Sequence, residues 1–293
     1  MRIVLTGSAS HLAAALLPVL CADTRITHVT GVDLHAANFT HEKFTHHALD
    51  VRTTEAIALL AGHDALIHLA FVVLRGKLPL AEMRNINVHG TQQLFEAALR
   101  AGVERRIHLS SASVYGQGDA LTENAPLAPV RGFAYAEHKA ELERWFDARD
   151  PAAIRFRPHV ILGPHAQQLL QTLTHQPFYL RLPDPQPQLQ CVHEDDVSEA
   201  IIAALFAPVA GAFNLASDDT LSLRETIRAG NPRAVGVPPW LAKAALSAAW
   251  WFSGWGGEPG WIEAARYPLN LDTQRARELL GWRPRHTARE MLA

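Results

Sequence analysis

The chain begins with an apolar run, a single glycine and a helical segment, and this order limits the folds open to it. Residues 2–6 (RIVLT) have the character of a strand, Gly7 follows, and residues 11–20 have a helical pattern. Further strands are predicted at 26–32 and at 64–70, where DALIHLA is apolar enough for a buried parallel strand. Strands that alternate with helices predict an α/β fold built on a parallel sheet.

A serine-rich strand exit, followed by a helix that carries a tyrosine and a lysine, is the second constraint. The strand ends at Leu109 and the chain continues SSASVYG, so the hydroxyl of Ser111 is expected at a strand end. A helical pattern from 132 to 149 contains Tyr135 and Lys139. Residues four apart lie on one face of a helix, so these two side chains are predicted to be neighbours.

These three side chains suit proton transfer at an oxygen atom. A free tyrosine has a pKa of about 10, and one positive charge about 4 Å away would lower it by roughly 3 units at an effective dielectric of about 20. Lys139 is the candidate for that charge, so Tyr135 is predicted to act as acid and base near neutral pH. Ser111 would hold the substrate oxygen by a hydrogen bond.

In this order and spacing the motifs resemble the Ser, Tyr and Lys signature of the extended short-chain dehydrogenase/reductase family, the NAD-dependent epimerase/dehydratase type. The resemblance covers residues 1–215 and 270–291. It implies a Rossmann-type, doubly wound parallel sheet with a smaller α/β C-terminal substrate lobe. The expected division is an NAD-binding domain at 1–164, with elements that return near 190–215, and a mainly substrate-binding lobe at 165–293.

The resemblance also implies where the cofactor binds. The family's T-G-x-x-G-x-x-G turn appears with Ser10 and Ala13 in place of its second and third glycines. Asp33, about 20 residues after this turn, would accept a hydrogen bond from the ribose 2′-OH of NAD. It would repel the 2′-phosphate of NADP, so NAD is favoured. The predicted cofactor-binding residues are Gly7, Ser10, His11, Leu12, Asp33, Asp50, Val51, Leu69, Ala70, Asn87, Tyr135, Lys139, His159 and Val160.

Two of these assignments have structural alternatives. Asn87 lies in NINVHGT, which is similar to the family's N-V-x-G-T, but it also suits a buried residue that bridges a helix to its neighbour. His159, in RPHVILGP, would border the nicotinamide or the substrate, or would be a buried histidine bonded to the backbone. The tentative substrate residues are Phe71, Ala112, Ser113 and His159.

The resemblance implies hydride transfer between NAD and a carbinol carbon, with Ser111, Tyr135 and Lys139 as catalytic residues. Ala112 and Ser113 replace the acidic pair of the dehydratases, so a nucleoside-diphosphate-sugar epimerase is favoured over a dehydratase. The segment 188–190 reads QLQ where sugar-nucleotide enzymes often carry an arginine. A dehydrogenase of an apolar alcohol or ketone, similar to hydroxysteroid dehydrogenases, and a non-catalytic dinucleotide sensor therefore remain alternatives.

The composition indicates a small-molecule substrate as the binding partner and argues against nucleic acid and metal. The 27 basic and 29 acidic residues are nearly balanced and form no basic run, so no nucleic acid is expected. Cys21 and Cys191 have no nearby cysteine, and the spacing around His193 supports no metal cage, so neither a disulfide nor a metal is expected. The N-terminus lacks a charged region before a long apolar segment, and a cytoplasmic location is expected.

A tryptophan-rich segment at 240–261 lies outside the resemblance. Its apolar run is shorter than a membrane span. It is interpreted as a helix of the C-terminal lobe, with an interfacial membrane helix or a homodimer face as alternatives. The missing basic face disfavours the membrane.

Overall fold

The computed structural model describes residues 1–166, 174–253 and 260–292. The strands in chain order are β1 Arg2–Thr6, β2 His28–Asp33, β3 Phe44–Ala48, β4 Ala65–His68, β5 Arg105–Leu109, β6 Gly118–Leu121, β7 Ile154–Pro158, β8 Val160–Leu162, β9 Phe178–Leu180, β10 Gln188–Leu189, β11 Cys191–His193, β12 Gly211–Leu215, β13 Leu221–Ser222, β14 Val235–Val237 and β15 Leu269–Leu271.

The α-helices are α1 His11–Ala22, α2 Thr54–Ala58, α3 Leu80–Arg84, α4 Thr91–Arg100, α5 Ala134–Arg149, α6 Glu194–Phe206, α7 Leu223–Gly230, α8 Pro239–Ser253, α9 Gly260–Ala264 and α10 Gln274–Leu280. A π-helical turn, Asn85–Gly90, joins α3 to α4. Short 3₁₀ turns cover Ala112–Tyr115 and Glu290–Leu292.

Seven strands form the main sheet, in the order β12-β7-β5-β4-β1-β2-β3. Every neighbouring pair in it is parallel. The strand order reverses between β1 and β4, which is the switch point where open α/β sheets bind ligands at the carboxyl ends of their strands. The Rossmann-type fold class predicted from the sequence is therefore confirmed.

Successive residues of β1 face opposite layers, because side chains alternate along a strand. Ile3 and Leu5 belong to the apolar core that includes α1 and α6, whereas Val4 belongs to the core on the other face, with α4 and α5. These three side chains are at most 1% exposed. Burial of a side chain of this size contributes about 1.5–3 kcal/mol, so both layers hold β1 at the sheet centre.

The remaining strands form smaller sheets. One has four strands in the order β13-β10-β15-β6, and β8–β11 and β9–β14 form parallel pairs. The chain passes between the main sheet and the four-stranded sheet more than once, because β6 joins the four-stranded sheet and β12 returns to the main one. The predicted division at residue 164 stays a prediction.

Helix α6 begins at Glu194, directly after β11. The ring of His193 caps this helix, since its Nδ1 accepts the amide of Asp195 at 3.2 Å. The first turn carries three acidic residues, Glu194, Asp195 and Asp196. Their negative charges lie near the positive end of the helix dipole and stabilise the helix.

Residues 240–253 of the tryptophan-rich segment lie in α8, and residues 260 and 261 begin α9. Trp240 and Trp251 are 71% and 75% exposed, and Trp255 lies outside the described residues. In the described ranges, none of the helices has both the length and the apolar character needed to cross a bilayer.

Candidate active site

Helix α5 carries the predicted tyrosine and lysine at its start. Lys139 is only 3% exposed, and its Nζ donates a hydrogen bond to the carbonyl oxygen of Leu109 at 2.5 Å. The same ammonium lies 3.4 Å from the ring centroid of Phe71 and 5.9 Å from that of Tyr135. The rings of Phe71 and Tyr135 meet edge to face at 5.6 Å. The base of α5 is therefore packed against the ends of β4 and β5.

Ser111 precedes the 3₁₀ turn that follows β5. Its Oγ accepts hydrogen bonds from the backbone amide of Ser113 at 3.2 Å and from the Ser113 hydroxyl at 2.9 Å. A side-chain hydrogen bond also joins Ser111 to Tyr135. The fold thus brings together the two hydroxyls that the sequence analysis assigned to catalysis.

The protonation of the pair differs from the expectation of a tyrosine activated by lysine. Burial raises the pKa of Tyr135, and its hydrogen bond with Ser111 lowers it by a smaller amount. Burial also holds the pKa of Lys139 well below its usual range, although the carboxylate of Glu143 raises it. The difference arises because the ammonium of Lys139 points to Leu109 and Phe71 rather than to the phenol oxygen.

The turn between β1 and α1 has the close approach that a dinucleotide site requires. Gly7 has φ +74°, and a Cβ there would lie 2.6 Å from the amide nitrogen of Ala70. This turn therefore lies directly against the exit of β4. Ser10 caps α1, since its Oγ accepts the amide of Ala13 at 3.3 Å. The first amides of a helix attract phosphate, and the residues present suit a pyrophosphate with the Ser10 hydroxyl beside it.

Asp33 lies at the end of β2 and turns its carboxylate toward this loop. Its Oδ2 accepts the amide of Ala9 at 3.1 Å, and its Oδ1 accepts the amide of His35 at 3.0 Å. A carboxylate held beside the phosphate turn is placed as a ribose acceptor would be.

Asp50, one of the predicted cofactor-binding residues, is already paired with another side chain. The guanidinium of Arg52 binds Asp50 through Nε at 3.0 Å and Nη2 at 2.7 Å, and it lowers the pKa of that carboxyl. Val51 is 8% exposed. Any contact between Asp50 and adenine would share the carboxylate with Arg52.

Asn87 and His159 make the structural contacts that were weighed as alternatives. The Asn87 amide clamps Val72, accepting its N–H at 2.8 Å and donating to its carbonyl at 2.9 Å. The His159 ring bonds to the Leu269 carbonyl at 2.9 Å and accepts the amide of Val160 at 2.8 Å. Burial lowers the pKa of His159 to about 4. Val160 is 40% exposed, and cofactor contacts of these residues stay predictions.

The sequence analysis missed a buried polar network behind the site. It is centred on Arg157, which bonds to Glu143 and Tyr115, while Tyr115 donates to Asn214. One signal was present, since Glu143 is one helical turn beyond Lys139. Its partners come from distant parts of the chain, and no local pattern indicates them.

The fold also brings His286 to His193 and Asp195. One ligand atom of each lies within 4.8 Å of the others, the one such cluster among the described residues. The two imidazole rings stack with centroids 3.9 Å apart and an interplanar angle of 26°. A metal lies in the plane of a ligating ring, which stacked rings do not allow for both. The expectation of no metal stays a prediction.

Comparison with known proteins agrees with this geometry. The sequence profile of the NAD dependent epimerase/dehydratase family matches residues 3–216. The chain belongs to this family. NAD is therefore its cofactor, which confirms the resemblance and the cofactor inferred from the sequence.

Two curated relatives and one solved structure illustrate the similarity. A UDP-glucose 4-epimerase from Mycolicibacterium smegmatis is 29% identical over 330 residues, covering 100% of this chain and 96% of its own length. An uncharacterised protein from Mycobacterium tuberculosis is 28% identical over 222 residues, and the match covers 72% of this chain but 58% of that protein. The structure of MoeE5 in complex with UDP-glucuronic acid and NAD has a TM-score of 0.78 at 21% identity, covering 100% of this chain and 96% of that one.

Proposed function

We propose that the protein is a nucleoside-diphosphate-sugar epimerase that uses tightly held NAD. The observation that carries this proposal is the hydrogen bond between Ser111 and Tyr135 at the carboxyl edge of the sheet, with Lys139 one turn away. The similarity to the Mycolicibacterium smegmatis UDP-glucose 4-epimerase along the whole chain supports the substrate class.

Each site residue has a role that its contacts support. Gly7 and the start of α1 would receive the pyrophosphate, and Asp33 the adenosine ribose. Bound NAD would supply the hydride acceptor for the carbinol carbon and the donor for the hydride's return. Ser111 would hold the substrate oxygen, and Tyr135 would take its proton and later give it back. Lys139 would hold the cofactor ribose, because its Nζ bonds to the Leu109 carbonyl at the strand end rather than to the phenol.

Epimerisation is favoured over dehydration by the residues after Ser111. Loss of water from a sugar requires a second acid and base, and Ala112 and Ser113 supply neither. An epimerase needs only one proton-transfer group and a cofactor that retains the hydride until it can be returned to the opposite face of the sugar carbon.

A dehydrogenase of an apolar alcohol or ketone is the second candidate, because of Gln190. Its side chain accepts the amide of Leu271 at 2.7 Å and donates to the carbonyl of Ser217 at 2.9 Å. Gln190 thus stabilises the four-stranded sheet by hydrogen bonds. It stands at the position where sugar-nucleotide enzymes often use an arginine to bind the substrate diphosphate.

The test combines cofactor binding with turnover. NAD+ at about 100 times its Kd should stabilise the folded chain by about 2.7 kcal/mol, visible as a thermal shift that exceeds the shift with NADPH. With UDP-galactose, chromatography should show UDP-glucose, without accumulation of NADH absorbance. Sustained NADH formation from an alcohol would favour the dehydrogenase, and no shift with any dinucleotide would contradict both.

A Tyr135→Phe variant should separate chemistry from binding. It keeps the aromatic ring that contacts Phe71 but has no proton to transfer, so nearly all turnover should be lost while the NAD thermal shift persists. Undiminished turnover in this variant would show that the acid and base lie elsewhere.

A further inference from the structure

The buried guanidinium of Arg157 is attached to the helix that carries Tyr135 and Lys139. Arg157, the last residue but one of β7, is 3% exposed, and it binds Glu143 with two parallel bonds, from Nε at 3.0 Å and from Nη2 at 2.8 Å. Glu143 is fully buried on α5. A second guanidinium, that of Arg155, lies 3.4 Å from its carboxylate. A two-point fork fixes orientation as well as distance, so α5 cannot rotate freely against β7.

The same guanidinium also holds the turn that carries Ser111. Its Nη1 donates to the Tyr115 hydroxyl at 2.6 Å and to the carbonyl of Glu123 at 2.9 Å. Tyr115 ends the 3₁₀ turn that Ser111 caps, and its hydroxyl donates to Asn214 on β12 at 2.8 Å. Burial raises the pKa of Tyr115 to about 12, so this hydroxyl keeps its proton and remains a donor.

Two elements that carry the reacting groups, α5 and the Ser111 turn, therefore meet at one side chain. A buried ion pair gives little net stability over an apolar pair of the same shape, whereas its bonds are directional. We propose that Arg157 and Tyr115 are positioning residues of the reaction, whose hydrogen bonds set the distance between the Ser111 hydroxyl and the Tyr135 phenol. The inference rests on the proposed function for its kinetic consequence, but not for its structural one.

The chain offers a matched control in a second buried fork, which lies at the far end of α5. Arg106 on β5 binds Asp150, just beyond α5, from Nε at 2.7 Å and from Nη2 at 2.8 Å. Both residues are buried. This second fork joins the other ends of β5 and α5, so Asp150→Asn weakens a buried ion pair without touching the bonds to Tyr115.

Fluorine NMR of the protein labelled with 3-fluorotyrosine tests the structural claim without substrate. The chain has four tyrosines, so the Tyr135 signal is identified by its loss in Tyr135→Phe. The expected result is that Tyr115→Phe moves the Tyr135 signal, whereas Asp150→Asn leaves it in place while lowering the melting temperature. Arg157→Lys, which keeps the charge but loses the fork, should move the signal in the same way. An unmoved Tyr135 signal in both variants, or an equal movement in Asp150→Asn, overturns the proposal.

The kinetic readout uses NAD and UDP-galactose. Misplacement of a reacting group by about 1 Å can cost about a hundredfold in rate, so Tyr115→Phe should lower kcat by roughly ten- to a hundredfold. KM and the NAD thermal shift should stay unchanged, and Asp150→Asn should keep the kcat of the folded enzyme. A raised KM with unchanged kcat would overturn the positioning role. If the wild-type protein does not turn over UDP-galactose, the proposed function fails. The NMR result still decides the role of Arg157 and Tyr115.

Discussion

The hydroxyl of Ser111 connects two donors on one side to the phenol on the other. Both the amide and the hydroxyl of Ser113 donate to it, and it shares a hydrogen bond with Tyr135. Since burial raises the pKa of Tyr135 and this bond opposes the rise, the phenol is protonated at neutral pH. Proton removal from an alcohol then depends on a phenolate fraction that increases with pH.

Ser111→Ala should therefore change the pH dependence as well as the rate. In the wild type, the turnover of an alcohol is expected to rise from neutral toward alkaline pH, by up to about tenfold per unit. Loss of the bond that lowers the pKa of Tyr135 should move this rise to higher pH and reduce kcat, as measured by pH–rate profiles. Ser110→Ala is the matched control, because the buried Ser110 hydroxyl has no hydrogen-bond partner in the described ranges. A profile that Ser111→Ala leaves in place would contradict this role.

The first turn of α1 is a helix terminus and the predicted phosphate site, and Ser10 affects both. Its hydroxyl takes the Ala13 amide, where family members carry a glycine that leaves the amides open. The cap stabilises the helix by about 1 kcal/mol relative to alanine, but glycine costs only a few tenths. Ser10 would therefore take up part of the predicted anion site for a cap that adds little stability.

Ser10→Gly should bind NAD more tightly with little loss of stability. One additional hydrogen bond to a charged group is worth about 1.5 kcal/mol, so calorimetric titration should show a Kd lower by about tenfold. Ser222→Gly provides the comparison, since Ser222 caps α7 through the amide of Glu225 at 3.1 Å. It should likewise cost little stability and leave the NAD affinity unchanged. Weaker NAD binding by Ser10→Gly would mean that the hydroxyl itself contacts the cofactor.

The whole molecule buries neutral imidazoles within and beside its main sheet. Burial lowers the pKa of His68 to about 3 and that of His159 to about 4, and holds the pKa of His108 well below its ordinary value. His68 bonds to Thr6 at 2.6 Å and to Thr91 at 2.9 Å. Neither ring nitrogen of His108 has a partner in the part of the chain that the structure describes.

These histidines should make the fold sensitive to acid. Unfolded histidines bind protons below about pH 6.5, whereas the buried ones stay neutral to lower pH, so the unfolded state binds more protons. Stability should be complete above about pH 6.5 and fall toward pH 4 by about 1 kcal/mol per histidine per unit. Thermal unfolding across this range would show it, and a flat melting temperature would contradict it.

His108→Leu tests one contributor to this acid sensitivity. The change removes two unpaired buried nitrogens and keeps an apolar contact with Phe95 and Phe146. The variant should therefore be at least as stable as the wild type near pH 7.5. It should also lose less stability than the wild type when the pH falls to about 5.5. His89→Leu, at an exposed position, should keep the wild-type pH dependence.

Local patterns in the sequence determined the elements and much of the site. The apolar runs placed the first strands of the sheet, the single glycine placed the turn before α1, and four-residue spacing placed Tyr135 and Lys139 on one helix face. These features depend on residues close in the chain, and a period or a required φ reveals them. The family motifs added the fold class and NAD, because they are local as well.

Tertiary structure decided the contacts between distant residues and the charges that those contacts set. It joined Ser111 to Tyr135, directed Lys139 to Leu109, and gathered Arg157, Glu143 and Tyr115 behind them. It also turned the pKa of Tyr135 upward, because burial depends on the residues that surround the phenol. Spacing along a chain specifies which groups can meet, whereas desolvation and hydrogen-bond geometry are set only when the layers pack.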